Sequence, residues 1–253
     1  MSNRRPSLRL VVLPVSPWSE RARWALDHHH LAYETVEHAP FLGELGLRRL
    51  VGPGKQATVP VLIADGRAIT DSWPIALYAD REGRGAPLIP PGREPDVRAW
   101  NDLADATKRA GRGLIVASML ASPAALDEGF PPAVPRALRP LLRPVARYGA
   151  RWFARKYALR LDEAPAQLAA LRATFTKLRE ALAESSPYLL GGFSYADIVM
   201  ATCLQAIKPV DDRYLPLGPA TRKVWTRDDL AAEFSDLVAW RDGLYEKHRA
   251  PRA

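Results

Sequence analysis

The stretch Leu8-Arg9-Leu10-Val11-Val12-Leu13-Pro14-Val15-Ser16-Pro17-Trp18-Ser19-Glu20-Arg21-Ala22-Arg23-Trp24-Ala25-Leu26 decides the fold. Leu8 to Val12 is a short apolar run that suits a buried strand. Pro14 to Pro17 breaks it. Ser16 followed by Pro17 signals a helix start, with a hydroxyl to cap free N–H groups and a proline where its missing N–H costs nothing. Ala22, Trp24, Ala25 and Leu26 then supply the apolar face of a helix reaching about His28. His28, His29 and His30 read as a solvated helix terminus, where partial positive charge suits the dipole.

Outward from this unit, Ala32 to Val36 reads as a second strand. A short helix around Leu45 to Val51 is closed by Gly52-Pro53-Gly54, and Val59 to Ile63 is a third strand. Asp65-Gly66 marks a hairpin, Ala68 to Thr70 a fourth strand, and a helix starts at Asp71-Ser72 and runs to about Arg81. This order predicts a small α/β domain over residues 1–82. Residues 83–95 carry Gly83, Gly85, Pro87, Pro90, Pro91, Gly92 and Pro95, the composition of a linker. Residues 96–253 read as helical, with helices expected at about 96–120, 144–160, 164–185, 195–208 and 228–248. The fold class is therefore α/β followed by all-α.

Composition closes several functional classes. The chain of 253 residues is 47% apolar and 25% charged, as a globular protein is. Its longest uncharged apolar stretch, Gly113 to Leu126, is interrupted at Ser122-Pro123 and falls short of the ~20 residues a membrane helix needs. No signal peptide is read at the N-terminus. A single cysteine, Cys203, excludes an internal disulfide or a thiolate-rich metal site, so no metal is expected and a reduced, cytoplasmic setting is. Cys203 itself reads as a small core residue.

Four places carry chemistry or folding signals. The Ser16 hydroxyl and nearby backbone N–H groups converge where a strand becomes a helix, and such a terminus favours an anion, a thiolate included. Ser19, one turn on, is the alternative hydroxyl. Val59 is held extended by Pro60, which frees its N–H and C=O to pair with an extended peptide ligand. Asp71 with Ser72 caps a helix and offers a carboxylate for an ammonium beside N–H groups for a carboxylate. Ser194 with Asp197 reads as a capping box, and Phe193 with Ile198 as its hydrophobic staple, both serving folding.

Taken in order, these stretches resemble the cytosolic glutathione S-transferase superfamily, of a serine type, over nearly the whole chain. Ser16 to Leu26 is similar to its first strand-to-helix turn, and Thr58-Val59-Pro60-Val61-Leu62 to its cis-proline loop. Asp71-Ser72-Trp73-Pro74-Ile75-Ala76 is similar to its acid-Ser helix start, and Phe193 to Ile198 to its second-domain capping motif. The resemblance implies a thioredoxin-like N-terminal domain that binds glutathione as co-substrate, and a helical domain contributing the pocket for a small electrophile. It implies that catalytic Ser16 holds the glutathione sulfur as thiolate. Val59 and a cis Pro60 would hold the cysteinyl unit, and Asp71 and Ser72 the γ-glutamyl head. Serine, where other members have cysteine, points away from mixed-disulfide chemistry. Thr58 stands where the family often has a basic residue, and Asp71 is one methylene shorter than the common Glu or Gln. Detoxification and a homodimer are family expectations. The alternative reading is a non-catalytic protein that binds glutathione or another ligand on the same scaffold.

The net charge of +8 is local. Eight basic residues and no acid lie between Arg136 and Arg160; without them 28 bases face 28 acids. Such a balance gives no ground for a nucleic-acid partner. Pro140 and Pro144 place the start of a regular helix near Pro144. Arg143, Arg147, Arg151 and Arg155 recur every four residues with aromatic residues between them, which reads as a solvated face, as a weak contact with an anionic membrane, or as a site for an anionic substrate or partner.

Overall fold

In a computed structural model, residues 8–131, 133–185 and 187–251 are described. The first part runs β1 (Leu8–Val12), α1 (Pro17–His28), β2 (Tyr33–Glu37), α2 (Glu44–Val51), β3 (Val61–Ala64), β4 (Arg67–Thr70) and α3 (Ser72–Glu82). The sheet order is β2-β1-β3-β4. β1 pairs parallel with β2, which requires the α1 crossover, and antiparallel with β3. Leu10 and Val12 of β1 are fully buried, as the continuous apolar run requires of an inner strand. On the opposite face Val11 and Val61 pack with Leu47, Val51 and Ala57. Asp65 and Gly66 both have positive φ, 50° and 75°, as a tight β3–β4 hairpin demands. This is the small mixed sheet of a thioredoxin-like domain.

The helical part comprises α4 (Glu94–Ala121), α5 (Pro123–Glu128), α6 (Arg139–Lys156), α7 (Ala164–Ser185), α8 (Tyr195–Cys203), α9 (Pro219–Trp225), α10 (Asp228–Glu233) and α11 (Ser235–His248). Short 3-10 turns precede α6 and follow α8. α5 and α9 escape sequence reading because each is under eight residues, too short to display a periodicity. The helix expected over 228–248 divides at Phe234, whose ψ of 35° breaks the run while its fully buried ring meets Phe175 edge-on at 5.6 Å. α6 begins at Arg139, upstream of the expected start. Pro140 occupies its first turn, where no N–H is needed, and the helix continues through Pro144 with one hydrogen bond lost.

By compactness the chain forms two units, neither of them continuous in sequence. One holds the chain up to Asn101 with Ser185–Thr202 and Leu244–Ala250; the other holds Asp102–Glu184 and Cys203–Gly243. The Gly- and Pro-rich 83–95 stretch lies inside the first unit and is tied down. The Asp80 carboxylate accepts from Leu88 and Ile89 N–H at 2.9 and 2.8 Å, and the Leu88 carbonyl accepts from Tyr195 N–H at 2.7 Å. The histidines expected to be solvated take part in the same fastening. His29, 1% exposed, donates from Nε2 to Asp80 at 2.6 Å, and His28 Nε2 bonds the Ala86 carbonyl at 2.8 Å. Gly83 is required there, since a Cβ on it would stand 2.2 Å from His29 Cβ. His30 alone of the three is exposed.

The capping motif holds with a change of partners. Asp197 accepts from Ser194 N–H, Ser194 Oγ and Leu189 N–H at 2.8, 2.8 and 2.9 Å. The serine hydroxyl thus donates into the carboxylate. Phe193 stacks face to face on His248 at 3.8 Å, where the sequence suggests a staple to Ile198. In the second unit Cys203 is fully buried, with Sγ 3.9 Å from the Ala104 carbonyl.

Candidate functional site

Strand register brings three of the sequence-selected segments to one end of the sheet. Val11 of β1 lies opposite Val61 of β3, and Val61 lies opposite Thr70 of β4. The chain leaving β1 toward Ser16, the chain entering β3 through Val59-Pro60, and the chain leaving β4 into Asp71 therefore meet at the same edge. Asp71 N–H donates to the Pro60 carbonyl at 3.3 Å, which extends the β3–β4 ladder by one step.

The two candidate hydroxyls are in different situations. Ser16 is the N-cap of α1 with extended backbone, and its Oγ accepts only a long bond, 3.5 Å, from Ser19 N–H. Ser19 is fully buried, and its Oγ accepts from Leu13 N–H at 3.1 Å. Ser19 therefore closes the β1–α1 turn from inside. Ser16, at 7% exposure, keeps a hydroxyl proton that no described residue takes, at the positive end of the α1 dipole.

The Val59–Pro60 peptide is cis. Pro60 is buried and Val59 half-buried. Among the described residues nothing pairs with the Val59 N–H or C=O. An edge of this kind accepts an extended peptide through main-chain bonds.

Asp71 caps α3 through a 3.3 Å bond from Trp73 N–H, and it is exposed. Its backbone, φ 77° and ψ 149°, falls in a region that residues other than glycine seldom enter. No pattern in the sequence signals this strain. Ser72 is fully buried and donates from Oγ to Asp71 Oδ1 at 3.3 Å. It stands behind the carboxylate and orients it.

α1 also carries a buried set of charges that the sequence does not single out. Arg21 is fully buried, donating to Thr202 Oγ1 at 3.3 Å and Asn101 Oδ1 at 3.1 Å. Glu20 accepts from Arg249 at 2.8 Å, and Arg249 also reaches Asp27 at 2.5 Å. The two carboxylates hold the Arg249 guanidinium firmly protonated against the opposing effect of burial. An arginine directly beside an apolar face, as Arg21 is beside Ala22, was the available signal. Lys55 is exposed and bonds no described residue. Among the described residues no group of His, Cys, Asp or Glu is placed to hold a metal ion.

The chain matches the sequence model of the glutathione S-transferase N-terminal domain over residues 10–87 and that of the C-terminal domain over residues 131–243. No curated protein matches it. A glutathione S-transferase from Methylobacillus flagellatus KT, solved with glutathione bound, is similar with a TM-score of 0.56 and 19% identity, over 97% of this chain and all of that one. A glutathione transferase from Phanerochaete chrysosporium is similar with a TM-score of 0.64 and 16% identity, over 98% of this chain and 100% of that one. Glutaredoxin 2 from Salmonella typhimurium, in complex with glutathione, gives 0.54 and 18%, over 91% of this chain and 96% of that one. At such identities these structures share the fold. The matched domains, in the family's order and over the strand-to-helix, cis-proline and helix-start segments just described, place the chain in the glutathione S-transferase superfamily.

Proposed function

We propose that this protein is a glutathione transferase that binds glutathione along the sheet edge and conjugates its thiolate to a small electrophile. In this reading it acts in the cytoplasm as a homodimer with a detoxifying role. The observation that carries the reading is the convergence of an available Ser16 hydroxyl, an unpaired Val59 backbone and a strained, exposed Asp71 at one end of the sheet.

Each group has a part. Asp71, oriented by Ser72, receives the ammonium of the γ-glutamyl head, and the Ser72 N–H at the start of α3 receives its carboxylate. Val59, ahead of Pro60, pairs its N–H and C=O with the cysteinyl unit. The Ser16 O–H donates to the sulfur, and together with the α1 N-terminus lowers the cost of the thiolate. The thiolate attacks an electrophilic carbon. A carbon–sulfur bond forms, and either a leaving group departs with its electron pair or water returns a proton to the adduct. Thiolate stabilisation and proximity supply the rate.

The test is retention on immobilised glutathione, with a glutathione-dependent assay over a panel of electrophiles on the same sample. Retention with turnover is expected. Retention without turnover on any electrophile favours the non-catalytic binder, to which the departures at Thr58 and Asp71 lend weight. Failure to bind glutathione overturns the transferase and leaves, of the alternative, only a binder of another ligand.

A further inference from the structure

Helix α6 meets its own unit along one edge only, and Ala154 is its only residue described as buried. Along that edge Arg143 donates two hydrogen bonds to the Asp127 carboxylate, at 2.8 and 2.6 Å, and Arg139 donates to the Val134 and Asp127 carbonyls. Arg143, which the sequence groups with the free arginines, is thus an internal tie. The opposite face is apolar and open. Leu141 is 76% exposed, Val145 61% and Tyr148 54%. With half-buried Trp152 they recur at spacings of four, three and four, within an arc of about 60° at ~100° per residue. Such spacing is that of a continuous stripe.

Charge borders the stripe. Arg151 is exposed and makes no bond to any described residue, and the Arg155 guanidinium lies 6.0 Å over the Tyr148 ring. Lys156 Nζ lies 5.5 Å over the Trp152 ring, on the stripe's other border. No acid occurs between Arg136 and Arg160 to neutralise them. A second copy docked through this face would set the same cations against each other, since a two-fold contact pairs like with like. A free phosphate would meet the arginines and leave the stripe in water. An anionic lipid surface satisfies both features, because headgroups meet the cations while the apolar side chains enter the interfacial layer.

We propose that α6 docks this protein on anionic membranes, with Leu141, Val145, Tyr148 and Trp152 entering the interface and Arg151, Arg155 and Lys156 contacting headgroups. The full-length protein is floated with vesicles of phosphatidylcholine alone and of phosphatidylcholine with phosphatidylglycerol, at low salt. Binding only to the phosphatidylglycerol vesicles is expected, weakening as salt is added. Combined Arg151→Gln, Arg155→Gln and Lys156→Gln lowers partitioning about a hundredfold. Leu141→Ser with Val145→Ser lowers it about tenfold or more, with the melting temperature unchanged because both side chains are exposed. Should that pair fail to fold, Tyr148→Ser alone and quenching of Trp152 fluorescence by brominated lipid, read against Trp152→Phe, report on the same face. No binding at low salt, equal binding to neutral vesicles, or no effect of the apolar substitutions overturns the proposal. A wild-type oligomer that dissociates on Leu141→Ser would show that a second copy covers the stripe, and overturns it too.

Discussion

At the scale of single residues, the structure gives different surroundings to Ser16, the hydroxyl that sequence favours, and to Ser19, its alternative. Ser16 was legible as a cap because Ser-Pro at a strand end is a local signal. The burial of Ser19 was not, since its partner, Leu13 N–H, is chosen by how the turn closes. Their substitutions should therefore fail differently. Ser16→Ala removes one donor to a charged acceptor, worth about 1.5–3 kcal/mol. It should raise the pKa of bound glutathione by about one to two pH units and slow conjugation ten- to hundredfold near neutral pH. Stability should change little, because the cap bond lost is already long at 3.5 Å. Ser19→Ala instead orphans a buried N–H and should cost about 1–3 kcal/mol of stability while leaving the thiol titration in place. Thiolate absorbance against pH, with denaturant midpoints on the same variants, separates the two. An unmoved titration in Ser16→Ala means that the backbone N–H groups hold the thiolate alone.

Elements follow sequence closely where a local signal fixes them. β1, α1, α3 and α7 are each found within a residue or so of where apolar runs, caps and prolines place them. α6 starts early because a proline in the first turn of a helix does no harm, a distinction that turns on where the first turn falls. The start of α3 shows what pattern reading cannot supply: Asp71 holds a φ of 77° that glycine would adopt without strain. That conformation costs about 1–3 kcal/mol, and the carboxylate it displays is the proposed ammonium site. Asp71→Gly and Asp71→Ala both delete the carboxylate and should weaken glutathione binding tenfold or more. Only the glycine relieves the backbone. Asp71→Gly should thus be the more stable of the two by about 1–2 kcal/mol, after allowing for glycine's greater freedom in the unfolded chain. Equal midpoints in denaturant would show that no strain is stored at this helix start.

Over the whole molecule, sequence shows where composition changes but not which distant segments gather. The 83–95 stretch has linker composition, yet Leu88 is fully buried and bonds both Asp80 and Tyr195. Ser185–Thr202 joins the first unit, and Asp197 gathers its turn by accepting three bonds while wholly buried. Burial pushes the Asp197 carboxyl up to about 6, against the downward pull of those hydrogen bonds. In the unfolded chain it titrates near 3.9. Between these values the folded state holds the proton that the unfolded state has released, so stability falls as pH rises from about 4 to about 6. The contribution is present in full below the lower value and gone above the upper one. Asp197→Asn removes the titration and leaves the other groups in place. The stability of the wild type relative to this variant should be greater near pH 4.5 than near pH 7, by about 2 kcal/mol in denaturant melts. A difference that stays flat over this range would mean that the three donors keep Asp197 ionised throughout, with burial the weaker influence.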